Sequence, residues 1–177
     1  MKYFTKEMWL GWQDKHSAKW FRIANTRRAA YWKQLGRLRH RLSKRAHAFF
    51  MNRSFHDGRL LEFRVLQLGD SPWAAREPML PPHPTRVEMD VVPCRPAHLF
   101  RLVYKQVRRI DLSFPSQQPL FHQEGGGFDD WGYDELTPCG REFLAHEVLF
   151  ASGATLRIEF KFFDYNRQAL PEKWKRI

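Results

Sequence analysis

The sequence predicts an α+β protein, with N-terminal basic amphipathic helices packed on a C-terminal antiparallel sheet of five or six strands. Three observations predict it. Residues 1–56 hold fourteen Lys and Arg against two acids, a net +12, while the remaining 121 residues hold sixteen bases and seventeen acids, a net −1. The apolar period is about 3.6 before position 56 and about 2 after it. The 177 residues are 43% hydrophobic and 15% aromatic, enough for one packed core. A single domain follows, with residues 1–56 helical, 57–165 antiparallel β and 166–177 a basic, frayed tail.

Residues 4–13 predict a short helix with Thr5 as N-cap and Phe4, Met8, Trp9 and Trp12 on its apolar side. Asp14 to Ser17 is a break. Over residues 18–52, Phe21, Ala24, Tyr31, Leu35, Leu38, Leu42, Ala46 and Phe49 recur at spacings of three, four or seven and form one stripe. Lys15, Lys19, Arg22, Lys33, Arg37, Arg41 and Lys44 fall on the opposite face, and Arg28 and Arg39 interrupt or flank the stripe. Gly36 costs about 1 kcal/mol in a helix interior, so one helix or two meeting near it fit equally. Ser43 is a second break point.

His56-Asp57-Gly58 reads as a turn, with Gly58 free to take positive φ. Residues 59–68 then predict a strand, and the prolines at 72, 78, 81, 82 and 84 make 69–84 a loop. Residues 85–92 alternate, with Val87, Met89 and Val91 opposed to Arg86, Glu88 and Asp90. Residues 98–114 hold one long bent strand or two short ones. A second loop, 115–130, contains three glycines, and 131–136 is a short strand. Residues 142–150 and 154–163 form a hairpin about Ser152-Gly153, in which Leu156, Ile158, Phe160 and Phe162 share a face. The sheet is expected to bury one face against the Phe21–Phe49 stripe.

No apolar leader opens the chain and no stretch reaches the roughly 18 apolar residues of a spanning helix, so a cytoplasmic protein without a membrane partner is expected. Cys94 and Cys139 make neither a CxxC nor a zinc pattern. They are expected as packed thiols, although spacing alone leaves a disulfide open.

The opening MKYFTKEMW, the turn at 56–58 before a strand, and the pattern YDEL…FLAHEVLFASGATLRIEF at 133–160 go together. They resemble a family of small bacterial proteins known as a domain of unknown function. Its members begin with a YFTKE-like segment, carry a His-Asp turn and end with a HE-ILF-type hairpin. The Pro-rich loop and the basic helix depart from that pattern. The resemblance implies a small α+β fold and brings no activity. By fold analogy it suggests a toxin–immunity or defence setting.

The foremost candidate site is the basic helix face: Arg27, Lys33, Arg37, Arg41, Lys44 and Arg45, with Trp32 or His40 beside it. Arginine suits phosphate and carboxylate through its planar donor fork. Such a face would serve an acidic protein partner, as in an immunity system, or bind nucleic acid nonspecifically. As a plain solvated face it would only keep the chain soluble. A weaker set is His56, Asp57, Asp134, Glu135, His146 and Glu147. It would hold a metal or do acid–base work, as in a small metal-dependent hydrolase, only if its members converged. Taken singly, His56-Asp57 is a turn, Asp134-Glu135 a strand end and His146 a core histidine. Neither cysteine lies in a nucleophile motif, and Gly125 to Gly127 lack the pattern of a phosphate loop. The expected function is macromolecule binding without catalysis, cofactor or metal.

Overall fold

The computed structural model describes residues 1–13, 18–67, 85–94, 98–115 and 127–171. Helix α1 (Lys6–Gln13) is capped by Thr5, whose hydroxyl accepts from Met8 N at 3.4 Å. Helix α2 (Ala18–Arg37) buries Ala24, Tyr31 and Leu35. It runs through Gly36 and passes into a 3-10 turn (Leu38–Arg41). Helix α3 (Lys44–Asn52) restarts at Ser43, whose hydroxyl accepts from Ala46 N at 3.1 Å. The break therefore falls at Ser43, where a side chain satisfies the new helix's first amides, and Gly36 is tolerated in the open on α2. Phe21 leaves the stripe and is 56% exposed.

Eight strands follow among the described residues: β1 (Gly58–Leu66), β2 (Thr85–Val92), β3 (His98–Val107), β4 (Arg109–Ser113), β5 (Asp130–Cys139), β6 (Phe143–Phe150), β7 (Thr155–Phe160) and β8 (Phe162–Ala169). They form one antiparallel sheet in the order β4-β7-β6-β5-β1-β2-β3-β8. Strand outweighs helix among these residues, 48% against 29%. The expected sheet of five or six strands is thus corrected to eight, with the sheet dominating the fold.

Two sources of the difference can be named. The segments 98–113 and 155–169 each turn a corner, at Arg108 and at Lys161, where backbone bonds run Arg108 N to Glu159 O (3.0 Å) and Lys161 N to Lys105 O (3.2 Å). Gln106 takes φ 52° at this corner. Residues 166–169, expected as frayed tail, complete β8 and pair with β3, Gln168 opposite Leu99. The corner also changes side-chain parity. Phe160 is buried, Phe162 is 58% exposed and Phe163 is buried, so Phe162 does not continue the buried row of β7. Strand β5 is longer than the expected 131–136 because Thr137 to Cys139 still pair with β6.

The end strands β4 and β8 are continuations of β3 and β7, so the sheet must roll. Tyr104 on β3 and His146 on β6 are four places apart, which would separate them by roughly 19 Å in a flat sheet. Their side chains lie 2.7 Å apart across the interior. That interior holds Met89, Leu102, Tyr104, Trp131, Leu136, Phe150, Ile158 and Phe160, all essentially inaccessible.

The helices fill an opening in this roll. Among the described residues, strands β1 and β5 pair only at Gly58–Trp131 and Arg59–Asp130, and no other described strand lies on that side of β5. Helix α2 covers it, and the Tyr31 hydroxyl accepts from Leu136 N at 3.1 Å. Helix α3 packs on β8 through Phe49 and Phe50, with ring centroids 5.3 and 4.6 Å from Phe163. Burying each such ring contributes on the order of 2–3 kcal/mol. At the turn into β1, positive φ falls on Asp57 (60°) and not on Gly58. Glycine is needed at 58 for close approach, since a Cβ there would sit 2.6 Å from Val92 O.

The expected break at 14–17, the loop at 69–84 and most of the loop at 115–130 lie outside the described residues. No described helix is long and apolar enough to cross a membrane.

Candidate anion-binding cleft

A cavity of about 430 Å³ opens where α2, the end of α3 and β5 meet. Helix α2 supplies Arg28, Tyr31 and Trp32, spaced three and four apart and therefore on one side. Phe4 comes from the segment before α1, Phe50, Arg53 and Ser54 from the end of α3, His56 from the turn, and Gly132, Tyr133 and Asp134 from β5. The walls are mainly aromatic: Phe4 lies 5.1 Å from Tyr31 and 5.6 Å from Tyr133 by ring centroids.

A bulge in β5 builds the floor. Register slips between Trp131 and Tyr133, so Trp131 and Asp134, which regular alternation would place on opposite faces, share the inner one. Trp131 Nε1 donates to Asp134 Oδ1 at 3.0 Å. Gly132 sits at the slip because a Cβ would lie 2.7 Å from both Leu149 O and the Trp9 ring.

Behind Asp134 runs a buried chain. His146 Nε2 lies 3.2 Å from Asp134 Oδ2, and His146 Nδ1 lies 2.7 Å from the Tyr104 hydroxyl. Burial, reinforced by the charge of Asp134, pushes the Tyr104 phenol well above its usual range, so it stays protonated. With a neutral imidazole, the hydroxyl donates to Nδ1 and Nε2–H donates to Asp134. Both nitrogens of the buried imidazole are satisfied and the carboxylate is fixed. Each Asp134 oxygen keeps a further acceptor position. Tyr31 is likewise raised by burial first and by Asp134 second, which keeps its hydroxyl neutral at the cavity wall.

Arg28 and Arg53 are the cavity's cations. Both are exposed, and neither has an ion pair among the described residues. The Arg53 guanidinium lies 5.3 Å from the Phe100 ring, a platform that orients it. His56 Nδ1 is 2.9 Å from Asp57 Oδ1, and its ring stacks 5.6 Å from Trp9.

The six basic residues expected to form one binding face divide in two. Arg27 donates to Thr5 Oγ1 at 2.9 Å, Arg41 to Phe143 O at 2.8 Å, and Arg45 to Tyr165 O at 2.6 Å while packing over the Tyr165 ring. These three tie helices to the fold. Lys33, Arg37 and Lys44 are exposed, with no bond or ion pair among the described residues, as is His40. Of the weaker set, Asp134, His146 and His56 gather at or behind the cavity. Asp57 stays with His56 outside it. Glu135 and Glu147 lie on the sheet's other face. Glu135 accepts from the backbone amides of Lys2, Tyr3 (2.7 Å) and Phe4 (3.1 Å), and Glu147 pairs with the Met1 nitrogen and with Arg157. Asp134 and Glu135 are therefore mid-strand, not a strand end. No three of His, Cys, Asp and Glu among the described residues are placed to hold a metal. Cys94 is exposed and Cys139 half-buried, both as free thiols, and Cys139 Sγ lies 3.1 Å from Arg108 Nη2.

Sequence reading missed Arg28, Arg53, Phe4 and Gly132 as cavity residues. Arg28 left a signal: a cation flanking the apolar stripe, one helical turn before Tyr31 and Trp32. No family model, curated protein or solved structure matches the chain, so the case for this site rests on its own geometry.

Proposed function

We propose that this chain is a cytoplasmic, non-catalytic binding protein for an anionic macromolecule, which lies along α2 and inserts a group into the cavity. The observation that carries the reading is the cavity itself: aromatic walls with two exposed arginines, Arg28 and Arg53, neither in an ion pair among the described residues. Lys33 and Arg37 are also exposed on α2, on the side of the helix turned away from Arg28. Guanidiniums at the mouth of an apolar recess recognise carboxylate or phosphate more strongly than they would in open water, because the recess limits screening. The volume lies at the lower end of the range for specific small-ligand sites, about 300–1,000 Å³.

Two probes test it: a short polyglutamate and a short single-stranded oligonucleotide, each titrated at low and raised salt. Binding of at least one, weakened by salt and lost in Arg28→Glu with Arg53→Glu, supports the reading. Failure of both probes, or binding that the double variant leaves intact, refutes it.

A further inference from the structure

We infer that the cavity takes a nucleobase carrying an exocyclic amine, with its phosphate held by Arg28 and Arg53. This deepens the binding reading above and rests on it. Three features of the cavity choose among anions. Its size exceeds what one Asp or Glu side chain fills, whereas a flat heterocycle with its sugar suits about 430 Å³. Its walls are rich in rings: Trp32, 38% exposed on α2, lines it together with the Phe4 and Tyr133 pair, whose rings stack 5.6 Å apart. Rings of this kind stack bases, because every base has a π-face. Its floor carries the Asp134 carboxylate, locked by Trp131 and His146 with acceptor positions to spare. A partner carboxylate inserted here would meet a like charge. An amine N–H, as on adenine, cytosine or guanine, would meet an acceptor.

The chemistry is therefore that of a nucleotide: a stacked ring, an amine on Asp134 and a phosphate between two arginines. It is shared by a free nucleotide and by a single strand. Thymine, which offers a carbonyl where cytosine or adenine offers an amine, should be rejected.

The test is calorimetric titration of the full chain with oligodeoxyadenylate, oligodeoxycytidylate, oligothymidylate, an abasic oligomer and adenosine monophosphate. Expected is binding of the adenylate and cytidylate at least about tenfold tighter than the thymidylate or the abasic strand. Trp32→Ala, at an exposed position, should cost about tenfold without a change in Tm. Asp134→Asn, if it folds, should erase the discrimination against thymidylate. Mononucleotide binding as tight as the oligomer's identifies a free nucleotide as the ligand, and markedly weaker mononucleotide binding identifies a strand. Equal affinity for abasic and base-bearing strands overturns the inference. Binding of polyglutamate but of no nucleotide overturns it too, while leaving the broader reading intact. Failure of every anion overturns both.

Discussion

Three clustered arginines of the sheet and the arginines at the cavity meet opposite fates. On the sheet's outer face Arg64, Arg86 and Arg101 enclose Glu88 and Asp90, with Arg101 Nε 2.7 Å from Asp90. Farther round, Arg108 and Arg157 enclose Glu159 at 2.7 and 2.9 Å. Those carboxylates are almost wholly buried under their arginines. On the helical side Arg28, Lys33, Arg37 and Arg53 have no acid among the described residues. Residues 57–177 carry a near-zero net charge, whereas the first 56 carry +12, of which Arg28, Lys33, Arg37 and Arg53 are exposed. Composition alone shows two charge densities.

The contrast can be broken most forcefully at the cavity. Arg28→Glu with Arg53→Glu should weaken binding of the anionic probe about 100-fold or more, with Tm unchanged, as read by titration and thermal melting. The reverse pattern is expected on the sheet. Glu159→Ala should leave probe affinity unaltered and destabilise the fold by about 2 kcal/mol in denaturant unfolding, because two half-exposed guanidiniums lose their carboxylate.

The same carboxylate predicts a pH dependence. Burial would raise Glu159, but hydrogen bonds from Arg157 and Arg108 outweigh it and hold the group at about 2, below its ordinary 4.5. Its contribution is therefore complete above about pH 4.5 and is lost as pH falls toward about 2. Glu159→Gln should flatten the stability curve across that window. Arg41→Ala tests whether a helical arginine can be structural. Loss of its bond to Phe143 O should cost about 1 kcal/mol and leave binding alone. Lys44→Glu, exposed and away from the cavity lining, should change stability by less than about 0.5 kcal/mol.

Local patterns explain what was legible. The Thr5 cap, the Ser43 break, the alternation of Val87, Met89 and Val91, and the Gly153 turn (φ 85°) each depend on neighbours within a few residues. The features that alternation misses involve a single residue. Lys161 turns a corner and sends Phe162 outward, and the slip at Gly132 brings Asp134 onto the inner face. A period-2 reading cannot register either, because each inserts one residue into an otherwise regular pattern. The cavity was illegible for a related reason. Phe4, Arg28, Arg53 and Asp134 are spread over 130 positions and meet only because the sheet rolls and the helices close its opening. The helical wheel marked the basic residues correctly as polar, yet it could not show that Arg27, Arg41 and Arg45 find partners on other elements.

Amide chemical-shift mapping of the full chain during titration with oligodeoxyadenylate tests the partition most directly. The account predicts that shifts concentrate at Arg28, Tyr31, Trp32, Arg53, His56 and Tyr133, with none on β2. Shifts centred on Arg64, Arg86 and Arg101 would contradict it.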